Sequence, residues 1–304
     1  MAVAFLFPGQ ASQYVGMGQD LCEASELARE VFSLADRVTA EEIQATCVNG
    51  PEDRLKQTEI TQPAVFAHSV AAFRMLDEAG LKPDFVAGHS VGELACLVAA
   101  GVVTPEDGMK LVTIRSRAMK AAGAQNPGTM AAILGLDDDV VIDICDAISG
   151  TVTAANFNCP GQVVISGRPE NVRAAIKEAQ ARGAKRAVEL PVSGAFHSEL
   201  MAPVVEILAK ALGEIPFAEP VVPLVPNVTG EPTQDPAVLK DLLARQVVSP
   251  VLWTASMQQL ASAGVDRAVE VGPGNTLKSL MRRIDKSIAV SGAGTVSEIS
   301  ELIG

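Results

Sequence analysis

The chain has 304 residues, of which 48% are hydrophobic and 20% are charged, and its formal net charge at pH 7 is −12. This length allows one large domain or two modest ones, and the apolar fraction suffices for an ordinary globular core. The acidic balance argues against nucleic acid and against an anionic membrane surface as partners.

The five cysteines are scattered and never show C-x-x-C spacing: Cys22, Cys47, Cys96, Cys145 and Cys159. An odd number without a pairing pattern is typical of reduced thiols in a cytoplasmic protein, so we expect no disulfide and no metal site. No apolar stretch has membrane-spanning length. The opening segment "MAVAFLFPGQ" lacks a basic region and is interrupted by Pro8-Gly9, which predicts a buried strand rather than a signal peptide.

After this first strand, helical and strand-like patterns alternate. Helices are predicted over residues 20–39 and 63–79, and the second is followed by "AGLKP", a glycine stop with a proline behind it. A short strand at 85–87 then precedes helices at 91–100 and 105–122. Strands that alternate with helices favour a parallel sheet of the α/β class.

A second unit is predicted within this pattern. Its elements are a strand at 129–135, a helix at 137–149, strands at 152–158 and 162–167, a helix at 169–183 and a strand at 184–191. The order β-α-β-β-α-β is that of the ferredoxin-like split motif. We therefore predict a small subdomain over residues 127–192, inserted into a large α/β domain made of residues 1–126 and 193–304.

The large domain is predicted to resume with further alternating elements. Strands are predicted at 222–230 and 267–275, and helices at 236–246 and 253–263.

The motif Gly88-His89-Ser90-Val91-Gly92 lies at the junction of the predicted strand 85–87 and the helix that follows it. A sharp strand-to-helix turn crowds the backbone, and glycines at both ends relieve that crowding. The serine is left at the tip with its hydroxyl exposed, which is the arrangement of the G-x-S-x-G nucleophile elbow. Ser90 is therefore the candidate nucleophile.

A serine hydroxyl needs a neighbouring base, and the chain has three histidines. His68 lies in an apolar helical stretch and is expected in the core. His89 directly precedes Ser90, so their side chains point apart and His89 is expected to line the pocket instead. His197 follows a predicted strand and a Ser-Gly loop, which favours it as the base. No acidic residue after Ser90 completes a triad, and a backbone carbonyl is the alternative group to orient the histidine.

The oxyanion of an acyl-transfer intermediate needs two backbone donors. One is the N–H of Val91, directly after the nucleophile. The other candidate is the N–H of Gln10, because its loop follows the first strand and such loops gather at the carboxyl ends of parallel strands. An ordinary β-turn explains the local pattern around Gln10 equally well.

Arg115 lies in "LVTIRSRAMK", at the apolar boundary of a predicted helix. An arginine there is costly without an anionic partner, and its planar fork can bind a carboxylate through two parallel hydrogen bonds. The alternative is a side chain that extends along the helix to solvent, as is expected of Arg117.

Seven segments together resemble the malonyl-CoA:acyl carrier protein transacylase family. They lie between residues 5 and 284 in the family's order: "FPGQASQYVGMG", "GHSVGELACLVAAG", "TIRSRAMK", "NFNCPGQVVISG", "GAFHSELM", "RQVVSPVLWTASM" and "EVGPGNTLKSLMRRI". The resemblance implies a hydrolase-like parallel-sheet core with an inserted ferredoxin-like subdomain. It also implies a monomer that transfers malonyl groups from malonyl-CoA to the phosphopantetheine thiol of acyl carrier protein. The coenzyme A thioester is then the substrate, and no cofactor is expected.

The resemblance implies a role for each candidate residue. Ser90, with His197 as its base, forms a malonyl-serine intermediate in a ping-pong exchange that supplies fatty acid or polyketide elongation. The backbone N–H groups of Gln10 and Val91 hold the oxyanion, and Arg115 pairs with the malonyl carboxylate.

Two further roles and two departures also come from the resemblance. The main-chain carbonyl of Gln246 orients the histidine, which explains the missing acid. Phe196 matches a malonyl-selective motif of polyketide acyltransferases, in which a phenylalanine disfavours methylmalonyl by ~1–3 kcal/mol. Ala11 stands where the family usually has glycine, and Leu94-Ala95 replaces a common aromatic-small pair.

Carrier proteins are acidic, so an acidic chain needs a local basic patch to bind one. The dense basic clusters are Lys185-Arg186 and Arg282-Arg283-Lys286, and they correspond to the family's docking surface. Plain solvated charge is the alternative interpretation.

Other functions share part of this pattern. An esterase or thioesterase would use Ser90 and His197, but it would need water in the second step and would have no use for Arg115. A non-catalytic carrier-binding module would keep the basic clusters and need neither Ser90 nor His197. The same chemistry in a polyketide loading enzyme or a malonate decarboxylase has the same substrate and mechanism, so the sequence does not separate these pathways.

Overall fold

The computed structural model describes residues 2–192 and 194–304. The strands are β1 (Ala2–Phe7), β2 (Phe85–Gly88), β3 (Thr129–Leu134), β4 (Val152–Cys159), β5 (Gln162–Gly167), β6 (Arg186–Glu189), β7 (Leu224–Val225), β8 (Val265–Glu270) and β9 (Ala289–Gly292). The helices are α1 (Gln19–Ala24), α2 (Glu26–Thr39), α3 (Ile43–Asn49), α4 (Glu52–Leu55), α5 (Thr58–Glu78), α6 (Gly92–Ala99), α7 (Pro105–Gln125), α8 (Asp138–Asp146), α9 (Pro169–Ala181), α10 (Ala202–Glu214), α11 (Pro236–Gln246), α12 (Trp253–Ser262), α13 (Thr276–Ile284) and α14 (Val296–Ile303).

The large sheet is parallel and has the strand order β7-β2-β1-β8-β9. Its central strand β1 has a nearly continuous apolar sequence, as expected for a strand covered on both faces. Alternate side chains of β1 enter different cores: Phe5 and Phe7 pack on Phe73 of α5, whereas Ala4 and Leu6 join the core on the other face. The carboxyl ends of β1 and β2 therefore meet at one edge of a rigid, fully covered sheet.

The small sheet is antiparallel, with the strand order β4-β5-β3-β6. This is the order of the βαββαβ motif, and α8 and α9 cover one face over a separate hydrophobic core that includes Ile133, Val163 and Val172. The predicted fold class, a parallel α/β core with a small ferredoxin-like unit, is confirmed. The division at residues 127 and 192 stays a prediction.

Two local differences from the sequence-based prediction have physical causes. The predicted helix at 20–39 is two helices, because Ser25 has an extended backbone (φ −134°, ψ 132°) between α1 and α2. The predicted strand at 222–230 is reduced to Leu224–Val225, since prolines at 223 and 226 cannot donate ladder hydrogen bonds. The pair β9 and α14 was not predicted. Within the described residues, no helix is both long and apolar enough to cross a membrane.

Candidate active site

The nucleophile elbow lies where β2 ends and α6 begins. Ser90 has φ +53°, a left-handed conformation that is uncommon for residues other than glycine. A Cβ atom on Gly88 would lie 2.1 Å from the carbonyl carbon of Gly92, and one on Gly92 would lie 2.1 Å from the carbonyl oxygen of Phe7. Both glycines of the motif are therefore required for this turn to pack against β1 and α6.

Ser90 and His197 lie in direct contact. The Ser90 Oγ is 2.8 Å from His197 Nε2, although the two residues are 107 positions apart. His197 also has a left-handed backbone, with φ +58°, so two of the four non-glycine residues with positive φ in the described chain form this pair. Strained backbone of this kind is concentrated at functional sites.

Two main-chain carbonyls orient the His197 ring. Its Nδ1 lies 2.9 Å from the carbonyl oxygen of Gln246 and 3.1 Å from that of Ser249. Because Nδ1 donates its proton there, Nε2 is left as the acceptor for the Ser90 hydroxyl. Burial, together with the nearby Arg115 cation, lowers the pKa of His197 to about 3, which keeps the imidazole neutral and leaves Nε2 unprotonated.

Arg115 of α7 reaches the same serine. It is 3% exposed, and its Nη2 donates to Ser90 Oγ at 3.1 Å and to Gln246 Oε1 at 2.9 Å, while Nη1 donates to Gln62 Oε1. Burial lowers the Arg115 pKa to about 10, and the guanidinium stays charged at neutral pH. A buried guanidinium that donates to two neutral amides and faces a nucleophile can bind a carboxylate of the substrate.

Gln10 and Val91 flank the serine on the wall of a pocket of about 510 Å³. Within residues 2–192 and 194–304, neither of their backbone N–H groups has a backbone acceptor. Two free N–H groups beside a nucleophile provide what an oxyanion needs.

His89 and Phe196 also line this pocket. His89 turns away from Ser90: its Nε2 is 2.8 Å from Asn158 Oδ1 and its ring packs on Trp253, with 5.5 Å between centroids. Burial lowers the His89 pKa, so it lines the pocket as a neutral ring. Phe196 is 7% exposed and immediately precedes His197.

Comparison with known proteins identifies the family. The model of the acyl transferase domain matches residues 4–300. Malonyl CoA-acyl carrier protein transacylase of Escherichia coli K12 is 41% identical and is aligned over 95% of this chain and 94% of its own length; that of Bacillus subtilis strain 168 is 39% identical over 97% and 95%. The chain belongs to the malonyl CoA-acyl carrier protein transacylase family.

Solved structures of this family superimpose over the whole chain. The acyl-carrier-protein S-malonyltransferase of Bartonella henselae has a TM-score of 0.95 and 41% identity, covering 100% of this chain and 98% of its own. A malonyl-transacylase in complex with its type II PKS acyl-carrier protein has a TM-score of 0.96 and 37% identity, covering 100% and 99%.

The two basic clusters predicted from the sequence are close together in this transacylase family member. The backbone of Gly135 donates to the carbonyl of Gly161 at 2.9 Å, which joins the turns before α8 and between β4 and β5. The Lys185 side chain packs against Gly135, and Arg283 Nη2 lies 3.9 Å from where a Cβ of Gly161 would be. All five predicted residues are exposed: Lys185, Arg186, Arg282, Arg283 and Lys286.

Arg283 differs from the other four. Its Nη1 donates to Gln162 Oε1 at 2.8 Å and its Nη2 to the carbonyl of Pro160 at 2.9 Å. It therefore connects α13 to the β4–β5 turn, so part of its hydrogen-bonding capacity is used within the chain.

Sequence reasoning missed four polar residues of the site: Gln62, Glu93, Asn158 and Asn227. Gln62 accepts a hydrogen bond from Arg115, and Asn158 is hydrogen-bonded to His89. Asn227 accepts from the backbone N–H of Ser90, and Glu93 accepts from the backbone N–H of Asn227. Asn227 follows β7 at the carboxyl edge of the sheet, and this position could have identified it. The other three lie within regular elements, where the pattern of apolar residues carries no signal of a polar contact.

Proposed function

We propose that this chain transfers the malonyl group of malonyl-CoA to the phosphopantetheine thiol of acyl carrier protein through a malonyl-serine intermediate. The observation that carries this proposal is that one hydroxyl, Ser90 Oγ, contacts both a neutral imidazole and a buried guanidinium. A base activates the serine, and a fixed cation selects an acyl group that ends in a carboxylate. The related malonyl CoA-acyl carrier protein transacylases support the same substrate pair.

In the first half-reaction, His197 Nε2 takes the proton of the Ser90 hydroxyl as Oγ attacks the thioester carbonyl. The N–H groups of Gln10 and Val91 donate to the oxyanion that forms, and we expect each donor to lower the barrier by about 3–4 kcal/mol. The tetrahedral intermediate collapses with cleavage of the C–S bond. The coenzyme A thiolate leaves and takes the proton from His197.

The second half-reaction reverses these roles. His197 accepts the proton of the phosphopantetheine thiol, and the thiolate attacks the malonyl-serine ester. The C–O bond to Ser90 breaks, and Oγ regains the proton from His197. The Gln246 carbonyl keeps Nδ1 protonated throughout, so no carboxylic acid is needed as a third member. No cofactor takes part in these steps.

Arg115 and Phe196 select the acyl group. The guanidinium exchanges its contacts with Gln62 and Gln246 for a bidentate pair with the malonyl carboxylate. The Phe196 ring lies on the pocket wall next to the base and restricts branching at the α-carbon.

The acidic carrier protein docks on the joined basic clusters. They border the pocket, because Gln162, a partner of Arg283, also lines it. In Lys185→Glu/Arg282→Glu, we expect the KM for carrier protein to rise at least ~10-fold while the acylation rate with malonyl-CoA is unchanged. An unchanged KM would disprove this docking surface. We further propose that the chain acts as a cytoplasmic monomer in fatty acid or polyketide elongation.

The overall function is tested by incubation with labelled malonyl-CoA and holo acyl carrier protein. Transfer predicts label on the carrier protein with little free malonate. Free malonate as the main product would instead identify a thioesterase.

A further inference from the structure

Both peptide groups of the nucleophile are held by side chains from distant parts of the chain. The Ser90 N–H donates to Asn227 Oδ1 at 2.7 Å, and the Ser90 carbonyl accepts from Gln246 Nε2 at 3.1 Å. Asn227 Nδ2 also donates to the carbonyl of Gly88 at 2.6 Å, at the end of β2. The left-handed conformation of Ser90 is unfavourable for a residue with a Cβ atom, and these contacts stabilise it.

The two residues that supply these side chains, Asn227 and Gln246, both donate to one carboxylate oxygen. Glu93 Oε2 accepts from the backbone N–H of Asn227 at 2.9 Å and from Gln246 Nε2 at 2.9 Å. Glu93 lies in the first turn of α6, its side chain is fully buried, and its own N–H donates to the Ser90 carbonyl at 3.1 Å. A single carboxylate thus fixes both supports of the serine relative to the helix that begins beside it.

Gln246 extends this connection to the rest of the site. Its Oε1 accepts from Arg115, and its backbone carbonyl orients His197. A shift of the Gln246 side chain would therefore displace the serine backbone and the guanidinium together.

We infer that Glu93 is a positioning residue, which holds Asn227 and Gln246 in the places that fix the strained Ser90 for attack. The inference rests on the proposed function for the reaction whose rate it affects. The effect of Glu93 on the rate comes from the length of its side chain, which lets one oxygen accept both hydrogen bonds, and not from its charge.

Two substitutions of Glu93 distinguish the effect of side-chain length from the effect of charge. Its Oε1 has no partner among the described residues, and burial raises its pKa to about 7, against the opposing effects of Asn227, Gln246 and Arg115. Arg115 is the charged group that acts on it. Glu93→Gln keeps the length and one carbonyl oxygen that can accept both N–H groups, but loses the charge. Glu93→Asp keeps the charge but is one methylene too short to reach both donors.

The test compares these two variants by two rates. The first is labelling of Ser90 by an uncharged fluorophosphonate, which reports the nucleophile without any substrate; the second is single-turnover acylation by malonyl-CoA. We expect Glu93→Gln to keep both rates within ~5-fold of wild type, whereas Glu93→Asp lowers both by roughly 30- to 100-fold, because a misplacement of about 1 Å costs that much. The KM for malonyl-CoA should change less than either rate.

Glu270 provides a matched control. Like Glu93 it is a fully buried carboxylate that accepts two N–H groups, but both of its donors are backbone groups, of Leu277 at 2.9 Å and Lys278 at 2.8 Å, and it shares none of the partners of Glu93. Glu270→Asp should destabilise the fold similarly and leave the fluorophosphonate rate unchanged.

Three results would overturn the inference: Glu93→Asp reacting like wild type, Glu93→Gln losing as much as Glu93→Asp, or Glu270→Asp losing the same rate at equal folded fraction. If the wild type is labelled by fluorophosphonate but not acylated by malonyl-CoA, the proposed function fails, and the labelling rates of the variants still decide the role of Glu93.

Discussion

Replacement of Arg115 by alanine should change which acyl group the protein accepts far more than whether it reacts. Arg115 is buried, and its guanidinium lies 3.1 Å from the Ser90 hydroxyl. In a malonyl-serine, the free carboxylate is two bonds from the acyl carbon attached to that oxygen, which places it within hydrogen-bonding distance of the guanidinium. Acetyl-CoA carries no such carboxylate. We therefore expect Arg115→Ala to lower kcat/KM for malonyl-CoA strongly and kcat/KM for acetyl-CoA little or not at all.

The magnitude follows from the hydrogen bonds exchanged. A hydrogen bond that involves a charged group contributes about 1.5–3 kcal/mol. The two bonds to neutral amides that Arg115 gives up lie at the lower end, about 1.5 kcal/mol each, and the two bonds to an ionised carboxylate lie at the upper end, about 3 kcal/mol each. The net gain of about 3 kcal/mol corresponds to a loss of roughly 150-fold in the malonyl-to-acetyl ratio of kcat/KM in the variant.

The assay measures acyl transfer to holo acyl carrier protein from each thioester in turn. Arg117 is the matched control: it lies on the same helix, is exposed and donates to the carbonyl of Thr39, away from the site. Arg117→Ala should leave the ratio unchanged. An equal loss for malonyl-CoA and acetyl-CoA in Arg115→Ala would refute the role given to this cation.

Three further predictions concern strain, pH and pocket shape. Ala11 has φ +80° and Ala40 has φ +54°. Ala11→Gly and Ala40→Gly should each raise the free energy of unfolding by about 0.5–1 kcal/mol, because the strain of a left-handed alanine exceeds the entropy cost of glycine. A lower urea midpoint of unfolding in either variant would contradict this. Because the pKa of His197 is lowered to about 3, kcat/KM for malonyl-CoA should show no acid limb near the ordinary histidine value of about 6.5, and a pH–rate profile that falls through that value would show that the base is not held neutral by burial. Phe196→Ala should raise the methylmalonyl-to-malonyl ratio of kcat/KM by roughly 10- to 100-fold, the worth of one excluded methyl group, and competition between the two thioesters measures it; an unchanged ratio would remove the steric role of the ring.

The sequence predicted the elements that local patterns specify. Three features are specified by short stretches of sequence: the apolar run of β1, the glycines around Ser90 and the βαββαβ order. All three are present in the structure. The pairing of Ser90 with His197 came from elimination among three histidines, and the structure places their side chains in contact.

The contacts that support the site were not predictable in this way. Gln62 lies in α5, Gln246 ends α11 and Asn227 follows β7, so the three are far apart in sequence. Their amides contact Arg115 and Ser90 only when the sheet and helices have packed. From its neighbours in sequence, Glu93 is an ordinary acidic residue in the first turn of a helix, where a negative charge interacts favourably with the helix dipole. Its burial is a property of the tertiary structure alone.

The most direct measurement is the intact mass of the protein after mixing with malonyl-CoA, followed by peptide mapping. The wild type should gain one malonyl group on Ser90 and lose it when holo acyl carrier protein is added, whereas Ser90→Ala should gain none and His197→Ala should gain it far more slowly. An adduct that persists in Ser90→Ala, or that maps to any other side chain, would contradict the account.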